Sequence, residues 1–316
     1  MPTDILSSVL RKIGPRGLID SLAAELKNSE LTSLLLEVFR RRAAGISPPQ
    51  LLRDYRANKY AGLAGLDVVQ FMAFELELLK AAAEQGFEPL GFSPLCPLGT
   101  CSAIAAVDQN KVMSALRGTE VVADITNVMA LEIAHRRQQD RRRDTTHLCA
   151  THRHVRTQVF DFPGFTPHFK VFGMVSGGRD TGGYAFEKEN LERHLAYYLG
   201  VLTRQLGLAP SDIRVDLSAM AGEEQDGQWP AALYEHQSAQ WPDIRFAYLQ
   251  KPQEEHQYYR GLRFKVYINV RNVAYDIADG GLVNWSSQML QDRKERMFIS
   301  GLGTELLFKL QQSKAN

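Results

Sequence analysis

The sequence predicts an α+β fold in which helices pack on an antiparallel sheet. Apolar residues recur at helical spacing in residues 1–45 and 67–85, whereas strand-like apolar runs are concentrated between residues 85 and 300. These runs are too numerous for a helical bundle, and glycines and prolines separate them. We therefore expect a sheet flanked by helices, preceded by a helical N-terminal extension.

Helices are predicted where apolar side chains repeat every three or four residues. The first helical segment shows this spacing at Ile5, Val9 and Ile13. A second, stronger helix is predicted from about Asp67 to Gln85, because its apolar positions form one face. Further helices are predicted over residues 187–206, 289–296 and 304–312.

Strands are predicted where apolar, aromatic and β-branched residues cluster between turn signals. The predicted strands are residues 148–162, 166–176, 213–218, 264–270 and 298–300. The turn Phe162-Pro-Gly-Phe165 would join the first two. The glycine-rich segment 177–183 is expected to be a loop, and it lacks the terminal lysine–hydroxyl pair of a phosphate cradle.

Composition excludes several classes of protein. The 316 residues are 44% hydrophobic and 23% charged, with a net charge of +1, so the chain is not a disordered protein. Three cysteines are too few for a disulfide scaffold and indicate a reducing compartment. No stretch reaches 18 apolar residues, so we expect no membrane association and a cytoplasmic location.

Histidines cluster in the middle of the chain, where a metal site could be sought. His152 and His154 alternate with Arg153, so the two imidazoles share one face of a strand. A metal site needs three or four converging ligands, and no carboxylate or cysteine stands at a familiar spacing from these histidines. The sequence therefore predicts no metal site.

Two arginines on one predicted strand are candidates for ligand binding or catalysis. Arg153 and Arg156 are three positions apart and would lie on opposite faces. An unpaired buried arginine is costly, but a guanidinium suits the clamping of a carboxylate or phosphate. A nearby extended segment places Asp124 and Thr126 on one face, where they could hold an ammonium group.

Two further features have more than one interpretation. Tyr258 and Tyr259 precede a strand and would either pack in the core or wall a small-ligand pocket. The polar run Arg136–Arg143 contains five arginines, which is typical of a solvated helix end but would also suit a polyanion.

The order of these segments resembles the motifs of class II aminoacyl-tRNA synthetases, particularly the histidyl type. The helix before Gly86 and the extended stretch to Pro94 resemble motif 1. His152–Gln158, followed by His168–Lys170, resembles motif 2, and Phe298–Leu307 resembles motif 3. Tyr258-Tyr259-x-Gly261 is similar to the Tyr-Tyr-Thr-Gly signature of the histidine pocket, and Asp124-x-Thr126 is similar to the Glu-x-Thr pair that holds the substrate amino group.

This resemblance implies a division of the chain and a set of site residues. Residues 1–65 would form the helical extension and residues 66–316 the catalytic-type domain, with a homodimer built on Asp67–Pro94. The amino-acid-like ligand would contact Asp124, Thr126, Arg153, Tyr258, Tyr259 and Gly261. A nucleotide would contact Arg153, Arg156, Gly301 and Gly303.

Three departures from the family pattern fall on the nucleotide side. Val155 replaces the motif 2 glutamate, Leu306 replaces the motif 3 arginine, and Glu254 replaces the catalytic arginine before the tyrosine pair. Leucine provides neither the charge nor the planar donors of a phosphate clamp. The chain also ends at Asn316, shortly after motif 3, so the resemblance implies no tRNA-reading domain here and no tRNA partner.

Three hypotheses for function follow. The first is a histidyl-type paralogue that binds a small amino-acid-like or carboxylate ligand and acts as a regulatory or partner subunit, or in a non-translational reaction, as the regulatory subunit of ATP phosphoribosyltransferase does without aminoacylation. The second is a ligase that uses ATP with Mg²⁺ to adenylate an acid and passes it to an acceptor other than tRNA. The third is an RNA-binding scaffold that uses Arg136–Arg143.

Overall fold

The structure is a computed structural model that describes residues 3–14, 17–140, 144–157, 166–220, 229–250 and 258–315. Its helices are α1 (Thr3–Ile13), α2 (Leu18–Asp20), α3 (Asn28–Ala44), α4 (Pro48–Ala57), α5 (Val68–Glu84), α6 (Thr100–Ala105), α7 (Ile125–Gln139), α8 (Ala185–Gly200), α9 (Trp229–Gln240), α10 (Trp285–Leu290) and α11 (Thr304–Ala315). Among the described residues, none of these helices has both the length and the apolar character needed to cross a membrane.

The strands form one large sheet and one small one. They are β1 (Glu88–Pro89), β2 (Leu95–Pro97), β3 (Ser114–Ala115), β4 (Thr119–Val121), β5 (Thr146–Val155), β6 (His168–Arg179), β7 (Ile213–Ala219), β8 (Arg245–Leu249), β9 (Tyr259–Val270), β10 (Val273–Val283) and β11 (Glu295–Leu302). The large sheet has the order β1-β5-β6-β11-β10-β9-β7-β8, and β2, β4 and β3 form the small sheet. Pairing is antiparallel from β5 through β7, while β1 and β8 add parallel edges, so the predicted antiparallel sheet is confirmed.

Helices cover both faces of the large sheet. On one face, α5, α8 and α11 bury apolar side chains such as Leu78, Leu199 and Leu307 against the strands. On the other face, α7 and α10 pack through residues such as Met129 and Trp285. The α7 face contains the cavity described below, and the opposite face is the larger of the two cores.

Two glycines on β6 determine how closely α7 lies on the sheet. A Cβ added at Gly173 would stand 2.7 Å from Ile125 Cγ2 and 2.8 Å from Met129 Cε, and one at Gly177 would overlap Ile133. Real Cβ atoms do not approach carbon so closely, so larger residues would push the helix away from the strands.

The loop predicted over residues 177–183 is wrong at its start, because β6 continues to Arg179.

Two other local predictions need correction. The helix predicted over residues 289–296 is wrong, since α10 ends at Leu290 and β11 begins at Glu295. Asp124 and Thr126 do not share an extended segment, because Asp124 caps α7 and Thr126 lies in its first turn. The predicted turn at residues 162–165 lies outside the described residues.

Candidate functional site

A cavity of about 290 Å³ lies between the start of α7 and the strands β5, β6, β9, β10 and β11. We call it the α7 cavity. The residues that line it include Asp124, Thr126, His154, Arg156, Phe169, Val171, Tyr258, Tyr259, Asp276, Asp279, Ile299, Gly301, Gly303 and Leu306. Its walls are thus partly charged and partly apolar, as expected for a small-molecule site.

The first turn of α7 forms the polar rim of the cavity. The Asp124 carboxylate accepts hydrogen bonds from the Thr126 backbone N–H at 3.0 Å and from the Thr126 hydroxyl at 2.8 Å. Both bonds use Oδ1, which is the usual arrangement of an aspartate at a helix N-cap. The second carboxylate oxygen, Oδ2, faces Arg156 at 3.9 Å. Helix capping therefore positions the carboxylate that the sequence assigned to an ammonium group.

Arg156 lies opposite this carboxylate, directly after the end of β5. Its Nε donates to the Ala123 carbonyl at 3.1 Å, and its guanidinium carbon stands 5.2 Å from the centre of the Phe169 ring. These two contacts fix the orientation of the guanidinium while its side chain stays 38% exposed. The Asp124 side chain is 35% exposed, so the rim presents one accessible anion and one accessible cation.

His154 is a lining residue that the sequence suggested only as a hydrogen-bonded histidine on a half-buried strand. It is fully buried, and its Nε2 accepts the Ile125 backbone N–H at 2.9 Å. An accepting Nε2 places the proton of a neutral imidazole on Nδ1. Burial, with a contribution from Arg156, holds the pKa of His154 well below its usual range, so the ring is neutral. Its Nδ1 has no hydrogen-bond partner in the described part of the chain.

The tyrosine pair closes the side of the cavity formed by β9 and β10. Tyr259 is buried, and its hydroxyl donates to Asp279 Oδ2 at 3.2 Å. Arg263 donates to the same oxygen at 3.2 Å and lies over the Tyr259 ring at 5.4 Å. Burial and the Asp279 carboxylate raise the pKa of Tyr259 well above its usual range. Tyr258 packs on Tyr259 with 4.5 Å between ring centroids. The two rings line the cavity, and the Tyr259 hydroxyl holds the pair to Asp279.

Asp276, on β10, adds a second carboxylate to this side of the cavity. Its Oδ2 pairs with Lys265 Nζ at 2.9 Å, while burial raises the pKa of the carboxyl group. The acidic residues of the cavity thus have different partners. Asp276 and Asp279 are held by basic residues of β9, whereas Asp124 faces the rim.

Gly301 and Gly303 lie on the floor of the cavity, near Leu306. A Cβ added at Gly301 would meet only Val171 Cγ1, at 3.5 Å, and one at Gly303 would meet Leu306 Cβ at 3.7 Å. The absence of side chains there leaves room for a ligand next to β11. The neighbouring lining residues Val171, Ile299 and Leu306 make this part of the cavity apolar.

The structure does not bring Arg153 to this cavity. Arg153 lies on the opposite face of β5, where its Nη1 contacts Glu305 Oε2 at 3.1 Å and His168 Nδ1 at 3.0 Å. The sequence correctly placed Arg153 and Arg156 on opposite faces, but it assigned the ligand to both. Of the two, Arg156 is the arginine that lines the cavity.

Gly261 is also not one of the lining residues, although it follows Tyr259 by two positions. Its φ of +64° is in the left-handed region, and an added Cβ would approach Trp229 to 2.7 Å. Its carbonyl accepts the Met220 backbone N–H at 2.8 Å. Gly261 therefore shapes the start of β9 behind the tyrosine pair. Glu254, the third departure from the family pattern, lies outside the described residues.

Asp124, Thr126, Arg156, Tyr258, Tyr259, Gly301 and Gly303 are thus brought together, whereas Arg153 and Gly261 are not. Sequence reasoning missed His154, Asp276 and Asp279. The two-residue alternation of His154 with Arg156 was a usable signal for the first of these. The strand β10, which carries both aspartates, was not predicted. No group of three or more metal-ligating side chains was found among the described residues.

Comparison with known proteins identifies the fold. No protein-family model matches this chain, and no curated protein matches it by sequence. Among solved structures, it is similar to apo histidyl-tRNA synthetase from S. aureus, with a TM-score of 0.60, 10% identity, and coverage of 80% of this chain and 70% of that chain. The fold is that of a class II aminoacyl-tRNA synthetase catalytic domain.

Two further structures support this assignment of the class II fold. One is an ATP phosphoribosyltransferase regulatory subunit/histidyl-tRNA synthetase from Bacillus halodurans, with a TM-score of 0.58, 14% identity, and coverage of 76% of this chain and 78% of that chain. The other is a histidine–tRNA ligase subunit from Alicyclobacillus acidocaldarius, with a TM-score of 0.57, 12% identity, and coverage of 78% and 94%. At these identities the likeness concerns the fold.

Proposed function

We propose that this chain is a synthetase-like paralogue that binds a small amino-acid-like zwitterion in the α7 cavity and acts as a regulatory or partner subunit. The observation that carries the proposal is the pair formed by Asp124 and Arg156, whose nearest charged atoms are 3.9 Å apart at an accessible rim. An ammonium group bound to Asp124 and a carboxylate bound to Arg156 would each gain a charge-assisted hydrogen bond.

The charges of the cavity favour this ligand over a nucleotide triphosphate. Three carboxylates line the cavity, and Arg156 is the basic residue among its described lining residues. Leu306 stands where the synthetase pattern has a phosphate-binding arginine. Lys265 and Arg263 neutralise two of these carboxylates, so the rim leaves one cation for the several negative charges of a triphosphate, whereas a zwitterion carries one charge of each sign. The apolar surface at Val171, Ile299 and Leu306 favours an apolar side chain on the ligand.

A regulatory or partner role is favoured by the same residues and by one of the similar folds. The Bacillus halodurans structure is described as a regulatory subunit as well as a histidyl-tRNA synthetase. A cavity that keeps an amino-acid clamp and lacks a phosphate clamp suits a protein that senses a metabolite. In this proposal the partner is another protein, neither tRNA nor a membrane is involved, and the location is cytoplasmic.

Calorimetric titration of the full chain with each amino acid tests the proposal. We expect one or more apolar amino acids to bind, and the matching amine and N-acetyl derivatives to bind at least tenfold more weakly. Asp124→Asn should abolish binding but keep the helix cap, because asparagine also caps helices. Asp67→Asn is the matched control, since Asp67 caps α5 through its side chain and does not line the cavity. Failure of every amino acid to bind the wild-type chain would refute the proposal.

The ligase hypothesis is the second candidate, and the position of Arg156 favours it. A guanidinium that faces the cavity beside Phe169 could contact an α-phosphate. ATP with Mg²⁺ would then be required. Acid-dependent exchange of pyrophosphate into ATP would support the ligase and contradict a purely regulatory role. We expect no exchange, and no shift of the melting temperature by ATP.

The RNA-binding hypothesis is the weakest, because ion pairs occupy the described part of the arginine run. Arg136 pairs with Glu88 and Glu132, each at 2.6 Å, and Arg137 is buried against Glu295. The other three arginines, at positions 141–143, lie outside the described residues. Salt-dependent binding of RNA that is lost when these three are neutralised would favour this hypothesis.

A homodimer remains part of the proposal. The helix α5 buries Phe71 and Leu78 in its own chain, yet leaves Val68 and Met72 60% and 64% exposed. Such a large apolar face on a well-packed helix is typical of an interface. Light scattering that gives twice the chain mass at micromolar concentration would support a homodimer on residues 67–94.

A further inference from the structure

Exposed apolar side chains are concentrated at one end of the chain. Among the described residues, twelve of the large apolar side chains that are exposed lie between Ile5 and Tyr55, and five more lie between Leu63 and Leu76. The remaining four are Leu95, Leu98, Leu249 and Val273. The rest of the described surface is therefore ordinary, and the first 76 residues carry an uncovered apolar surface.

The first part of this surface belongs to helices that have no core of their own. We call α1–α4 the N-terminal arm. None of its residues whose burial is described is buried, and the first buried residue along the chain is Phe71. Helices of 10 to 17 residues are marginal in water without tertiary packing. The arm therefore needs an apolar surface to pack against.

The second part is a groove along α5. The groove has a volume of about 730 Å³, and Leu63, Val68, Met72, Leu76 and Leu79 contribute its apolar lining. Arg153 and Lys170 line its base, and both are neutralised by Glu305 and Glu75 of the same chain. The groove is thus mainly apolar, and its two basic residues already have acidic partners. Such a surface suits an apolar helix better than a charged ligand.

The C-terminal end of the arm leads into the chain beside this groove, and the arm does not fill the groove. Tyr60 donates to the Thr157 carbonyl at 3.3 Å, and the Gly62 carbonyl contacts His168 Nε2 at 2.8 Å, so the chain is fastened just before the groove begins. Met72 and Leu76 nevertheless stay 64% and 50% exposed. An arm attached at the edge of its own groove, which it leaves exposed, can reach the groove of a second copy.

We propose that the N-terminal arm of one chain covers the α5 groove of a second copy, with α3 packed along α5. The two helices are equally long, at 17 residues each, and α3 exposes Leu34, Val38 and Phe39. A two-fold axis lets each copy give an arm and receive one, so the arm and the groove of both copies are buried. The proposal goes beyond ligand binding and does not depend on it.

The available surface is large enough for a stable dimer. The seventeen exposed apolar side chains of the arm and the groove amount to roughly 1,000 Å² per copy, if each buries about 60 Å² of apolar surface. Stable interfaces bury about 800 Å² per partner. The arm and groove of two copies therefore suffice, without a third protein.

Cross-linking tests which chain the arm contacts. The native cysteines Cys96, Cys101 and Cys149 are all buried, so introduced thiols on the surface can be labelled selectively. One preparation of the full chain carries Phe39→Cys, and another carries Val69→Cys near the start of α5 or Leu76→Cys at its middle. After the two preparations are mixed and treated with a short bismaleimide, we expect a covalent dimer. A chain carrying both substitutions that cross-links only within itself, at monomer mobility, would overturn the proposal.

Light scattering on charge variants separates the arm from a dimer formed by α5 alone. We expect Phe39→Glu to weaken the dimer at least tenfold, while Val273→Glu, equally exposed but distant in sequence from arm and groove, leaves it unchanged. A dimer indifferent to Phe39→Glu, together with no cross-link from residue 39, would overturn the arm proposal and leave the homodimer proposal intact. A monomeric wild-type chain would overturn both.

Discussion

The imidazole Nε2 of His154 accepts the backbone N–H of Ile125 at 2.9 Å, which fastens strand β5 to the first turn of α7. The same turn carries Asp124, and the same strand leads to Arg156. This buried hydrogen bond, together with the Arg156 Nε–Ala123 carbonyl bond, thus sets the separation of the two charges that would bind a zwitterion. It also requires a neutral imidazole, because a protonated ring has no acceptor.

Stability should fall as the pH is lowered, because buried histidines must stay neutral in the fold. Burial holds the pKa of His154 and His194 well below the usual range, and lowers the pKa of His147 to about 4. Unfolded histidines bind protons below about pH 6.5, so the unfolded chain gains protons that the folded chain does not. The stabilising effect is full above this pH and is lost progressively below it.

Urea unfolding at pH 7.5, 6.5 and 5.5 measures this dependence. Each fully buried histidine should contribute about 1.4 kcal/mol per pH unit below pH 6.5. His194→Asn should reduce the slope, whereas His135→Asn, at an exposed position, should leave it unchanged. A free energy of unfolding that stays constant from pH 7.5 to 5.5 would contradict the buried neutral state.

Two glycines on neighbouring strands should respond oppositely to alanine. Gly301→Ala should fold normally, because its Cβ meets only Val171 at 3.5 Å, but should weaken ligand binding by filling the α7 cavity. Gly173→Ala should destabilise the fold by about 1–3 kcal/mol, because its Cβ would overlap Ile125 and Met129. Melting temperature and calorimetric affinity measured on both variants distinguish the two effects. Equal affinity of Gly301→Ala and wild type would place the ligand elsewhere.

Removal of Arg156 should lower ligand affinity, whereas removal of Arg153 should lower the stability of the fold. Arg156→Met should lower ligand affinity at least tenfold with little loss of stability, because the side chain is 38% exposed at the cavity rim. Arg153→Met should leave affinity unchanged and destabilise the fold, since it leaves the buried Glu305 with one basic partner fewer. Titration and urea unfolding of both variants test this. Loss of binding in Arg153→Met alone would restore the sequence-based assignment.

Removing one member of the buried pair Arg137–Glu295 should lower the free energy of unfolding. Both side chains are almost completely buried, and Arg137 Nη2 donates to Glu295 Oε1 at 3.0 Å. Arg137→Met would leave Glu295 with Arg179 as its remaining basic partner, at 3.0 Å, and should cost about 1–3 kcal/mol. The double variant Arg137→Met with Glu295→Met should recover part of this loss in urea unfolding. A double variant no more stable than Arg137→Met would show that the pair does not act as a unit.

The sequence predicted the sheet and most helices, because periodicity and turn residues determine those locally. It predicted the cavity residues at Asp124, Thr126, Tyr258 and Tyr259, although the first two meet there through a helix cap instead of a strand. Capping and extended geometries can present the same two side chains at similar positions, so the residue types were informative even though the local structure was wrong.

The errors at the arginines and on β10 have a different cause. Motif similarity favoured Arg153, while the alternation that places His154 and Arg156 on the cavity face was a weaker signal. The β10 aspartates follow a two-residue turn at Arg271 and Asn272, both with positive φ, that the sequence does not mark with glycine. Their partners Arg263 and Lys265 lie on the neighbouring strand β9, so only the pairing register between β9 and β10 brings these charges together.

Helix α7 is held at both ends. Its first turn is tied to β5 through His154, and its last turn is tied to β1 through Glu88 and to β11 through Glu295. Between these points the glycines of β6 let it rest directly on the strands. Such a helix cannot swing outward as a lid, so the two charges of the rim stand at their final distance before any ligand arrives. Binding should then be a single bimolecular step whose observed rate constant rises linearly with ligand concentration.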